Sequence, residues 1–137
     1  ALIWMAVIFA FSSQANSGAY TEAYLQEANV PVRKLAHMFE FAVLAVLYQT
    51  ALARSITKAN GQAKSKFKHY WLAFVLAVLY ALSDEWHQSF VPGRSSSLLD
   101  SGVDSIGALI GLTTVYWLRR SFASAQEQEQ KRKQERQ

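Results

Sequence analysis

Tyr80 to Gly111 reads YALSDEWHQSFVPGRSSSLLDSGVDSIGALIG, and this stretch decides the fold. An apolar run ends in two adjacent carboxylates, Asp84 and Glu85. The chain turns at Pro92-Gly93, presents Arg94, and re-enters an apolar run that carries Asp100 and Asp104. Acidic groups and an arginine at the ends of hydrophobic segments are costly to hold in lipid, so they usually serve something.

The rest of the chain is segregated in the same way. Of its 137 residues 51% are hydrophobic, but the charges sit in blocks between long uncharged stretches. Trp71 to Ser83 and Ile106 to Leu118 contain no charge, and Leu35 to Ala53 contains one acid and one histidine. With their flanks these stretches approach the roughly 20 residues that a bilayer-spanning helix needs. A soluble domain of this size has amphipathic helices instead, with polar residues every third or fourth position. The sequence therefore predicts an integral membrane protein.

The net charge of +4 does not point to nucleic acid. The bases concentrate in Arg54 to Lys68 and in Arg119 to Arg136, between or just after apolar segments, as the positive-inside bias predicts for cytoplasmic loops. No basic and aromatic motif of a nucleic-acid reader is present. The absence of cysteine excludes disulfides and thiolate metal sites.

Taken in order, the chain opens on ALIWMAVIFAF, too short to span, and no small-residue cleavage site follows Phe11. The segment is either the core of a signal peptide or the C-terminal part of a helix, and we favour a first transmembrane helix truncated at its N-terminus and ending at Ser12-Ser13-Gln14. A polar loop follows over Ser13 to Val32, with a short helical turn expected around Thr21 to Ala28. Asn29, Val30 and Pro31 mark a helix start, since proline suits the first turn. In the second span Arg33, His37 and Glu40 are spaced four and three apart, which puts them on one helix face.

Arg54 to His69 reads as a basic linker with Asn60-Gly61 as its turn signal. The third span runs from about Tyr70 to Phe90. Val91-Pro92-Gly93-Arg94 has proline and glycine at the central positions of a type II turn. Ser97 is placed to cap a fourth span. Along that span Asp100, Asp104, Gly107 and Gly111 recur on one face, and Gly107 with Gly111 gives the small-xxx-small spacing of closely packed membrane helices. Residues 121–137 form a polar tail, disordered or loosely helical.

The fold expected is thus all-α: a bundle of four transmembrane helices over residues 1–120, both termini cytoplasmic. In that topology Arg33, Lys34, His37, Glu40, Asp84, Glu85, His87, Gln88, Arg94, Asp100 and Asp104 converge at one level on the outer side. Asp84 and Glu85 point roughly a hundred degrees apart on a helix, so they do not form a carboxylate dyad with one another. Asp84 shares a face with His87 or Gln88, and Glu85 turns to a different neighbour.

Two spacings resemble the VanZ-like family of bacterial membrane proteins. One is R-K-x-x-H near the start of a span, here Arg33, Lys34 and His37. The other is D-E-x-x-Q-x-F-x-P-G-R followed by an aspartate, here Asp84, Glu85, Gln88, Phe90, Pro92, Gly93, Arg94 and Asp100. The chain departs from the family in having Met38 and Phe41 where Phe-x-x-Tyr is common. It also has Asp104 where an asparagine is common. The resemblance implies a plasma-membrane protein, one of whose relatives is associated with resistance to the glycopeptide teicoplanin, and so directs attention to the outer face.

Three functions fit these residues. In the first the chain binds an anionic amphiphile, a cell-envelope lipid head group or a lipid-tailed antibiotic. Arg33, Lys34 and Arg94 then contact the anion, and His37, Glu40, Asp84, Glu85, Gln88, Asp100 and Asp104 complete the site. In the second it is a membrane hydrolase or transferase acting on a phosphorylated lipid, with His37 as base and Asp84 or Glu85 as its partner; no G-x-S-x-G nucleophile elbow is present. In the third it is a structural partner meeting another helix through Gly107 and Gly111. The competing explanation for the charges is that the acids simply pair with Arg33, Lys34 and Arg94 to hold helix ends together. No metal signature is recognised, and no cofactor is expected.

Overall fold

The computed structural model describes residues 1–15, 24, 28–60, 66–94 and 96–136. Among these the chain is all-helical, without strands. The helices are α1 (Leu2–Ser12), α2 (Asn29–Asn60), α3 (Lys66–Gln88) and α4 (Leu98–Gln134). The turn expected over Thr21 to Ala28 falls almost wholly outside the described residues, as does Gly61 of the Asn60-Gly61 signal.

The helices are longer than the apolar runs that announce them. Pro31 sits in the first turn of α2, where its missing N–H leaves no carbonyl unpaired. The helix then continues past Arg54 to Asn60, and α3 already begins at Lys66, so most of the expected basic linker is helical. Nothing between Arg54 and Asn60 breaks a helix: the segment contains neither proline nor glycine. Likewise α4 does not stop at Arg119-Arg120 but runs to Gln134, exposed from Tyr116 onward, with Lys133 Nζ 2.7 Å from Glu129 Oε1 one turn away.

The turn between α3 and α4 has the geometry its residues dictate. Gly93 has φ 75°, the left-handed value that a type II turn requires at its third position, and the Arg94 N–H donates to the Val91 carbonyl at 3.1 Å. Ser97 caps α4, its Oγ accepting from the Leu99 N–H at 3.2 Å, and Asp100 lies in the first turn beside the positive end of the helix dipole.

Small residues set the packing. A Cβ on Gly107 would collide with the Met38 carbonyl, and one on Gly111 would lie 2.6 Å from the Ala42 carbonyl oxygen, so α4 meets α2 backbone against backbone. The glycine face is therefore occupied by α2 of the same chain. Ala45, Ala73, Ala77, Ala108 and Leu112 form one buried cluster where α2, α3 and α4 meet; Ile8, Phe41, Leu44 and Ala81 form a second where α1 joins.

Large apolar side chains face outward. Leu35 and Phe39 on α2, Leu79 and Leu82 on α3, and Ile106, Leu109 and Ile110 on α4 are all exposed. Helices α2 and α4 contain stretches long and apolar enough to cross a membrane, and only 22% and 28% of those stretches are buried inside the bundle. A core helix of a soluble protein buries most of such a stretch; these apolar faces suit lipid. The first helix, at 11 residues, is shorter than a span, and the apolar part of α3 is hemmed in by Lys68 and by Asp84.

Candidate functional site

The polar residues of the two signature motifs meet at one end of the bundle, where α1 and α3 finish and α2 and α4 begin. Each is delivered by a helix end, so water can reach the site while the packed waist holds it in place. Asp84 and Glu85, neighbours in sequence, diverge as their helical positions require. Asp84 is 3% exposed and accepts from Ser12 Oγ at 2.8 Å and from Gln88 Nε2 at 2.7 Å, both on Oδ2. Glu85 turns the other way, where its Oε2 accepts the backbone N–H of Ser97 at 2.7 Å and ties the end of α3 to the start of α4.

Cations arrive from α2. Lys34 Nζ lies 2.7 Å from Asp100 Oδ1, an ion pair whose side chains remain 46% and 31% exposed. Here an acid does hold two helix ends together, as the competing explanation requires. His37 Nδ1 is 3.8 Å from Glu40 Oε2, too long for a hydrogen bond, and this buried nitrogen has no hydrogen-bond partner among the described residues. His37 makes no hydrogen bond to Asp84 or Glu85 among the described residues: Glu85 is engaged by Ser97, and Asp84 holds Ser12 and Gln88 on Oδ2 while its buried Oδ1 has no partner.

Between these side chains lies a partly open cavity of about 130 Å³. Its lining joins Val30, Arg33, Lys34 and His37 of α2, Glu85 and Gln88 of α3, and Asp100, Val103 and Asp104 of α4. Glu40, Asp84 and Arg94 are not part of that wall. Arg94 in the turn is half-buried, which pulls its guanidinium below its usual range. Arg33 pulls it the same way, and Asp84, Glu85 and Glu40 oppose both. Arg94 thus belongs to the same charged cluster without facing the cavity. No three histidine or carboxylate side chains among the described residues come together as metal ligands.

Sequence reasoning missed what α1 contributes. Ser12 is fully buried against Asp84, and Ser13 Oγ lies 3.1 Å from His87 Nε2, whose ring stacks on Phe9 with centroids 4.4 Å apart. Trp4 Nε1 donates to the Glu40 carbonyl at 2.9 Å, and Tyr80 OH donates to the Met5 carbonyl at 2.7 Å. The one available signal was the pair Ser12-Ser13 ending an apolar run at the level of Asp84.

Apolar helices with outward-facing hydrophobic sides, closed at one end by a charged cavity, define the class: a small helical membrane protein. Within that class the comparisons identify the family. The VanZ/LLP1 family model matches residues 1–119, and the chain belongs to this family, as its two motifs suggest. The match stops where the exposed polar end of α4 begins. No curated protein and no solved structure matches the chain.

Proposed function

We propose that this protein binds the phosphorylated head group of a membrane lipid in the cavity at the outer face of the bacterial plasma membrane. The observation that carries the reading is the cavity itself, with Arg33 and Lys34 on a wall that opens beside exposed apolar helix faces. Arginine and lysine are the natural contacts for a phosphate ester. A head group there leaves its acyl chains outside, along Leu35 and Phe39. In this reading the protein is multi-pass with both termini in the cytoplasm, because the basic ends of α2 and α4 lie at the end of the bundle opposite the cavity.

Size chooses between the two anionic amphiphiles considered. Sites that enclose drug-sized ligands usually measure about 300–1,000 Å³. A cavity of about 130 Å³ takes a head group and excludes a whole glycopeptide. An effect on teicoplanin susceptibility then arises through the lipid rather than through capture of the antibiotic.

The test is native mass spectrometry of protein gently extracted from bacterial membranes, wild type beside Arg33→Ala and Arg94→Ala. Wild type retains a phospholipid, Arg33→Ala loses it, and Arg94→Ala, off the cavity wall, loses less. Equal, non-specific lipid in all three sinks the reading. A second reading, turnover of the bound lipid with His37 as base, draws on the unpartnered buried Nδ1. It is separated by His37→Ala, which abolishes product formation while leaving retention intact if the protein is an enzyme.

A further inference from the structure

The cavity is not simply basic, and its acids are arranged in depth. At the mouth, Lys34 and Asp100 are 46% and 31% exposed. One helical turn further along α4, Asp104 is 2% exposed and still lines the cavity. Among the described residues Asp104 has no hydrogen bond or ion pair, although a buried carboxylate ordinarily has several. Two other acids, Glu85 and Asp100, line the same cavity. These charges favour a cation or a strong hydrogen-bond donor at the cavity floor, since Lys34 on the same wall is already paired with Asp100.

We infer that the ligand is a phosphate ester bearing a primary amine, its ammonium received by Asp104 at the floor and its phosphate held at the mouth by Arg33 and Lys34. The inference rests on the head-group reading above and deepens it. A phosphoethanolamine head group has the required order, with the ammonium at the free end, the phosphate next, and the glycerol and acyl chains trailing outward. Its size fits as well, since an apolar cavity of about 150 Å³ encloses a benzene molecule and this one is of similar volume and partly open. The His37 ring forms part of the wall on the way in. Phosphoglycerol, an anion without a cation, leaves Asp104 facing a hydroxyl at best.

The test uses the full chain in nanodiscs containing phosphatidylethanolamine, its N-acetyl derivative and phosphatidylglycerol in equal amounts, with retained lipid counted by native mass spectrometry. A charge-assisted hydrogen bond to a buried carboxylate should favour the free amine about tenfold over both competitors in the wild type. Asp104→Asn should erase that preference and keep phosphate-dependent retention. Because the comparison among lipids is made first on wild type, a poorly folding variant does not blunt it. Soluble phosphoethanolamine is then added. Displacement makes the free ester a ligand in its own right and failure to displace ties binding to the lipid, and either supports the chemistry. If wild type retains N-acetyl lipid or phosphatidylglycerol as well as phosphatidylethanolamine, the amine inference falls while the head-group reading stands. If wild type retains none of the three, both fall.

Discussion

The seam between α2 and α4 and the polar corner above it are built on opposite principles. At the seam, Gly107 and Gly111 let α4 touch the backbone of α2 at Met38 and Ala42, with no room for one further carbon. At the corner, polar side chains hold the helix ends at hydrogen-bond distance and a cavity of about 130 Å³ remains between them. The difference teaches a division of labour. Rigidity is concentrated where side chains are absent, and that rigidity lets the corner keep an open, charged space without collapsing.

The comparison is broken most severely at the seam. Gly107→Leu should abolish recovery of folded protein in detergent, seen as loss of the monodisperse peak on size exclusion. Gly107→Ala should already lower the melting temperature by more than ordinary overpacking, which costs about 1–3 kcal/mol, because its Cβ meets the Met38 backbone and no side-chain rotation relieves that. At the corner, Asp84→Ala removes the shared acceptor of Ser12 and Gln88. Leaving buried donors unmade costs about 1–3 kcal/mol, so Asp84→Ala should destabilise by that order. Ser12→Ala should cost about 1 kcal/mol, and the double variant should cost less than the two together. Additive losses in thermal melts would show that α1 is not anchored through this bond.

Two further changes sharpen the contrast at its mild end. Lys34→Ala breaks a pair that is substantially exposed, so it should shift stability by only about 0–1 kcal/mol while reducing lipid retention clearly. Gly102 is the control for the seam: it lies on the same helix, and a Cβ there meets nothing within 4 Å. Gly102→Ala should therefore stabilise by about 0.5–1 kcal/mol. A destabilised Gly102→Ala would mean that the spacing of small residues matters for something other than contact with α2.

Much of this was legible in the residues. Pro92 and Gly93 specify the turn, Ser97 the cap, and the four-three-four spacing from Asp100 puts the aspartates and glycines on one face. These are local rules, fulfilled within a few residues. Helix lengths were less legible, because the apolar runs end before the helices do; polar residues such as those after Arg54 and Arg119 continue a helix wherever nothing interrupts it. Pairings were not legible. Which base meets which acid depends on helix rotation in the packed bundle, so Lys34 meets Asp100 while Arg94 stays off the cavity wall. The role of Ser12 was hidden for the same reason: an uncharged hydroxyl at a helix end acquires meaning only once Asp84 is found 2.8 Å away.

The central claim is that the corner holds a phosphorylated head group. Its most direct test is a structure of the chain in nanodiscs made from native lipids, with the cavity inspected for phosphorus density. The account predicts a phosphate between Arg33 and Lys34, acyl chains running down past Leu35 and Phe39, and loss of that density in Arg33→Ala. A cavity filled with water alone in the wild type, with head groups ordered only around the rim, would contradict it.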